Sequence, residues 1–240
     1  MPSAACATGV EPEEVLRAFY AKMLSDLGPQ NWWPARSRLE IIVGAILVQN
    51  TAWQNAAMAL KRLRAKGLLS LAGLSKASLA EIEACVRPAG FFRQKARTIR
   101  NFLAWLERAC QGSLGNMFGL PPELVRARLR EIKGMGPETV DAILLYAGGH
   151  PFFVADSYTR RVLARHQMVP PEARYDDVQR FLHRHLPPEP DLFNEYHALL
   201  VEVGKQYCQR AIPKCSDCPL EGFLGPNQPV QIYVTGLKIK

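Results

Sequence analysis

No stretch of this sequence stays apolar for the roughly 18 residues that a membrane-spanning helix requires, so no membrane partner is expected. Residues 1–14 lack the basic segment and following apolar run of a secretory signal. Acidic residues are in deficit: 22 Asp and Glu stand against 30 Lys and Arg, a formal charge of +8. Cysteine is scarce and unevenly placed. Cys6, Cys85 and Cys110 are scattered while Cys208, Cys215 and Cys218 cluster, which excludes a secreted disulfide framework and points to a reducing cytoplasm. Alternating strand patterns are nearly absent, residues 231–234 being the one short candidate, and there is no repeat or low-complexity segment. With 48% hydrophobic and 22% charged residues the chain is no disordered polyelectrolyte, and its 240 residues suffice for one domain or two small ones with a substantial core.

The patterns that are present are helical, and the fold class read from them is all-α. Val15, Leu16, Phe19, Tyr20, Met23 and Leu27 recur at helix spacing. Leu39, Ile42, Val43, Ile46 and Leu47 do the same, but Ile41, Ala45 and Val48 fill the opposite face, so this helix should lie buried all round at the centre of a bundle. Ser78 with Glu81 spells a capping box. Residues 93–110 read as a long amphipathic helix, Pro121 and Pro122 open another to about Glu131, and Val140, Ile143, Leu144 and Ala147 mark a further one closed by Gly148 and Gly149. A late helix through Tyr196, Leu199, Leu200, Val203 and Tyr207 delivers the chain to Cys208.

The basic surplus is local. Residues 41–106 hold ten Lys and Arg but only Glu81 and Glu83 as acids, a surplus equal to that of the whole chain. Solvated helix faces would account for part of it; its concentration favours a surface facing phosphate. Beyond it comes Ile132-Lys133-Gly134-Met135-Gly136-Pro137-Glu138-Thr139, a glycine hairpin between two helices. Free N–H groups at the following helix start could bind phosphate, although the same pattern serves as a plain tight turn. Asp156, in Val154-Ala155-Asp156-Ser157-Tyr158-Thr159, begins a helix after an apolar run, and by itself reads equally as a helix cap.

Taken together these segments resemble the helix-hairpin-helix DNA glycosylase superfamily, in its endonuclease III branch. That family pairs such a hairpin with an aspartate segment, and Glu138 and Asp156 keep its separation between lysine and aspartate positions. Ala45-Ile46-Leu47-Val48-Gln49-Asn50-Thr51 is similar to the segment whose glutamine fills the gap left by an extruded base, and Ala89-Gly90-Phe91-Phe92-Arg93-Gln94-Lys95-Ala96 to the second DNA-contacting turn. The resemblance spans about residues 33–220. It implies two helical lobes with a DNA-binding groove between them: a six-helix barrel at residues 37–149 ending in the hairpin, and a second lobe from residues 1–36 and 150–240. It also implies double-stranded DNA with damaged bases as partner, a monomer, and a cytoplasmic setting (nucleoid-associated in a bacterium or archaeon). Asp156 would be the catalytic carboxylate, with Glu138 a second catalytic candidate. Gln49, Asn50, Arg93, Lys95, Gly134, Met135, Gly136 and Thr139 would meet DNA.

Bifunctional members use a lysine that forms a Schiff base with the sugar; Glu138, at that position, cannot. A monofunctional DNA N-glycosylase of base excision repair is therefore expected. Trp32-Trp33-Pro34 and Gln49-Asn50-Thr51 look like the 3-methyladenine subgroup, which would place Trp32, Trp33 and Trp53 around the flipped base, an alkylated purine. A glycosylase for oxidised pyrimidines or mismatched bases is the alternative on this scaffold, and a non-catalytic DNA-binding protein the alternative of another kind. The family's iron–sulfur loop is only partly matched: Cys208, Cys215 and Cys218 have its spacing, but Leu224 stands at the fourth cysteine position. A [4Fe–4S] cluster with incomplete cysteine ligation, a zinc site and an empty loop all remain open. In the 3-methyladenine subgroup a carbamylated lysine can take the structural place of the cluster, and Lys205 is the nearest match.

Overall fold

The computed structural model describes residues 11–224; Cys6 and the strand expected at residues 231–234 lie outside them. The described residues form helices and loops with no strand, and none of their helices is long and apolar enough to cross a membrane. The chain divides into two compact units, Met1–Trp32 with Pro151–Lys240, and Trp33–His150.

The chain begins in the first unit with α1 (Pro12–Leu27) and then builds the second. There α2 (Arg38–Leu47) starts on Ser37, whose hydroxyl accepts the Glu40 N–H, and nearly every residue along it is buried. It packs against α3 (Trp53–Ala65), α6 (Phe92–Cys110) and α9 (Pro137–Ala142), at the centre as its all-round apolar pattern requires. Between α3 and α6 come the short α4 (Leu71–Lys76) and α5 (Leu79–Val86), the latter started by the Ser78–Glu81 capping box. The five-residue α7 (Leu114–Phe118) leads to α8 (Pro122–Arg130). Of these eight helices α4 and α7 are too short to display a period. The helix begun by α9 continues as a π-helical turn over Ile143–Ala147, which the sequence read as ordinary helix.

In the first unit α1 packs against α11 (Tyr175–His185) and α12 (Pro190–Gln206), and α10 (Ser157–Arg165) packs on α12. Tyr196 of α12 is wholly buried and donates its hydroxyl to Leu16 O at 2.8 Å, which satisfies the one polar atom it takes inside. Helices α10 and α12 approach closely because Gly204 has no side chain: a Cβ there would lie 2.4 Å from the Tyr158 ring. Arg161 fastens the contact by donating to the carbonyls of Gly204 and Cys208 at 2.9 and 2.6 Å.

Candidate active site

Asp156 is the N-cap of α10. Its Oδ1 accepts the Thr159 N–H at 2.8 Å, the local bond that makes an aspartate favourable at a helix start. Its side chain is 13% exposed. The other oxygen, Oδ2, lies 3.7 Å from His197 Nε2 on α12. Burial by itself pushes this carboxyl's pKa up, but the His197 imidazole and the Thr159 N–H and hydroxyl together hold it below the ordinary value. The group is thus a carboxylate at neutral pH, available to stabilise positive charge or orient a water. Sequence reasoning missed His197. It sits on the apolar face of a helix 41 positions from Asp156, and no motif marks it.

The hairpin follows α8 and feeds α9. Gly134 has φ +99°, and a Cβ on it would fall 2.0 Å from Thr98 Oγ1, so this position requires glycine on two counts. Gly136 has φ −82° with nothing within 4 Å of its would-be Cβ; conformational freedom is not needed there. Gly134→Ala should therefore lower stability by about 1–3 kcal/mol, and Gly136→Ala by less than about 0.5 kcal/mol, as read by thermal melting. The side chains of Met135 and Thr139 are buried, so those two positions can offer a ligand only their backbone. The hairpin's flanking helices are locked by a buried pair, Arg126 Nε and Nη2 on Asp141 Oδ1 and Oδ2 at 2.6 and 3.0 Å. Glu138, in the first turn of α9, is half-buried.

Lys95, expected at a DNA contact, is instead 5% exposed. Its ammonium donates to Leu47 O at 2.8 Å and Ala89 O at 2.6 Å, and burial drives its pKa down to about 8. It ties the end of α2, just before Gln49, to the turn before Phe91, because carbonyls at helix ends lack intrahelical partners and accept a buried cation readily. Both turns carry a residue in the left-handed region, exposed Asn50 (φ 54°) and Phe91 (φ 44°), the latter 66% exposed. A bulky residue in that conformation is uncommon, and nothing in the motif around Phe91 announces it. Gln49 is half-buried, its amide reaching back to Ala45 O at 3.3 Å, while Arg93 is exposed. Of the ten basic residues at 41–106, Lys95 and Arg100 serve structure, the latter bound to the carbonyls of Ser75 and Ala77; the other eight are exposed.

Trp33 lies against Gly44, where a Cβ would come within 3.0 Å of its ring. Trp53 meets Trp33 edge-on at 5.1 Å, and Tyr146, on the π-helical turn, lies 5.3 Å from it on a tilted plane. Trp53 also walls a cleft of about 480 Å3 whose other sides include Pro34, Arg36 and Arg64 and whose base holds the buried Glu40 carboxylate, paired with Arg64. Trp32 is half-buried and falls in the other unit.

Cys208, Cys215 and Cys218 line one small cavity of about 20 Å3, roughly one water, together with His166 and Leu224. Arg165 donates to Cys208 Sγ at 3.2 Å. Among the described residues no three His, Cys, Asp or Glu side chains converge to hold a metal ion, and at the fourth position Leu224 fills space with methyl groups. The loop thus presents three thiols to one cavity and, at the fourth position, no ligand side chain. Lys205 is exposed beside Glu202, 3.9 Å away, rather than buried as a bridge between helices.

A family described as "HhH-GPD superfamily base excision DNA repair protein" matches residues 43–188. A candidate DNA repair glycosylase of Methanocaldococcus jannaschii is 35% identical over 88% of this chain and 96% of its own length. Among solved structures, the H. pylori 3-methyladenine DNA glycosylase bound to 1,N6-ethenoadenine superposes with a TM-score of 0.70 at 25% identity, covering 82% of this chain and 98% of that one. A trapped endonuclease III–DNA covalent intermediate superposes at 0.76 with 22% identity, covering 89% and 96%, a likeness of fold.

Proposed function

We propose that this chain, which belongs to the HhH-GPD superfamily of base excision DNA repair proteins and is a DNA glycosylase, works by hydrolysis alone and takes alkylated purines such as 3-methyladenine. The observation that carries the reading is Asp156: a partly exposed carboxylate, held ionised at a helix start, in a chain that otherwise offers DNA a basic surface. Breaking an N-glycosidic bond sends its electron pair to the departing base and leaves positive charge on the deoxyribose. Asp156 stabilises that charge and orients a water, whose oxygen bonds to the sugar carbon while its proton passes to the carboxylate or to solvent. The products are a free base and an abasic site. An alkylated purine is already cationic and leaves as a neutral base, so no acid is required on the leaving-group side.

The substrate class is supported by Trp33, Trp53 and Tyr146, whose electron-rich faces attract a cationic base, and by the likeness to the H. pylori enzyme. Hydrolysis without a Schiff base is supported by Glu138 at the position of the lysine nucleophile, and by Lys95, whose amine is buried on two carbonyls. For base extrusion, Gln49 would fill the vacated stack and the exposed Phe91 would wedge beside it, as apolar side chains do in other kinked duplexes.

The test is chromatography of bases released from methylated duplex DNA, with borohydride trapping on an abasic-site duplex. Release of 3-methyladenine with no trapped adduct is expected. Release of oxidised pyrimidines alone would move the chain to the endonuclease III type of substrate, and a strong covalent adduct would overturn the purely hydrolytic mechanism. Binding with no release of any base would leave only a DNA-binding protein.

A further inference from the structure

Asp156 has a titratable neighbour from outside its own helix. His197 is buried, its side chain 9% exposed, and its Nε2 lies 3.7 Å from Asp156 Oδ2. The Phe153 ring stands edge-on to it, 6.4 Å away, on the apolar run that leads into Asp156. Among the described residues no lysine or arginine pairs with Asp156. The close approach of α10 and α12 places the histidine there: Gly204, seven residues on and so on the same face of α12, admits Tyr158, and His197 then meets the start of α10.

We propose that His197 is a positioning residue for base release: an N–H at Nε2 engages one oxygen of Asp156 while the Thr159 N–H engages the other, so the carboxylate presents a fixed edge to the deoxyribose. One bond to a helix cap leaves a carboxylate free to turn about its own axis; a second donor on the other oxygen, closing the 3.7 Å gap from a different helix, would fix its plane. The same contact offsets the penalty of placing a charge where little water reaches it. His197 touches neither base nor sugar in this account and acts through Asp156. The proposal therefore rests on the reading of Asp156 above.

Single-turnover release from methylated duplex DNA, with affinity for an abasic-site duplex measured alongside, decides the matter. His197→Leu should slow release about 10- to 100-fold while affinity stays within about twofold. His197→Gln, which keeps an N–H donor near the Nε2 position, should recover most of the rate. A leucine variant as fast as the parent, or a glutamine variant no faster than the leucine one, would overturn the proposal. Should His197→Leu fail to fold, the Gln and Asn variants decide: only Gln reaches Oδ2, and equal rates would overturn the proposal. Asp156→Asn in the same assay separates the two readings. If it releases base at the parental rate, Asp156 is not the catalytic group and both readings fall. If it abolishes release while the His197 variants are unaffected, only the positioning role falls. On the Asp156→Asn background, His197→Leu should slow release no further.

Discussion

Asp156→Asn should lower the rate of base release about 100- to 1,000-fold and leave binding to duplex DNA within about twofold. The two effects separate because asparagine caps a helix as well as aspartate does, so its side-chain oxygen still accepts the Thr159 N–H and α10 starts in the same place. What is lost is the negative charge. Asparagine cannot offset a developing cation or accept a proton from water. The pH dependence follows from the direction of the Asp156 shift. Its pKa is lower folded than unfolded, so its contribution to stability is complete above the ordinary carboxylate value of about 3.9. That contribution is lost as the pH falls through the lower folded value. Titration of this group should therefore leave the rate flat from about pH 5 upward. Parallel loss of release and binding in the asparagine variant, with a lowered melting temperature, would mean that the carboxylate is structural.

Asp141→Ala should destabilise the protein by about 3–5 kcal/mol, seen as a melting temperature lower by about 10 °C. Asp141 is wholly buried, and both its oxygens are held by the Arg126 guanidinium, which is itself 19% exposed. Removing the carboxylate leaves a largely buried cation without that partner, which costs more than the pair contributes. The double variant Arg126→Met, Asp141→Leu should recover most of the loss, since apolar groups of similar volume need no partner. The pair joins α8 to α9 across the hairpin. If the hairpin grips phosphate, the single variant should also weaken DNA binding at temperatures where it remains folded. A loss below about 1 kcal/mol would place the pair among those that solvent already screens.

The sequence by itself determined what depends on short separations. The Ser78–Glu81 capping box, the Asp156 cap, the glycine hairpin and the central burial of α2 rest on periods and caps that act within a few residues, and each is found where the pattern places it. The same locality explains what was illegible. Burial is a property of surroundings that charge does not encode: Lys95 reads as one more cation in a basic run, yet the tertiary structure uses it to hold two turns. Tyr146, which joins the Trp33 and Trp53 pair, stands on a π-helical turn that no period announces. Only the packing of α10 on α12 brings His197 to Asp156, because a side chain 41 positions away becomes a neighbour through helix contact and through nothing written near either residue.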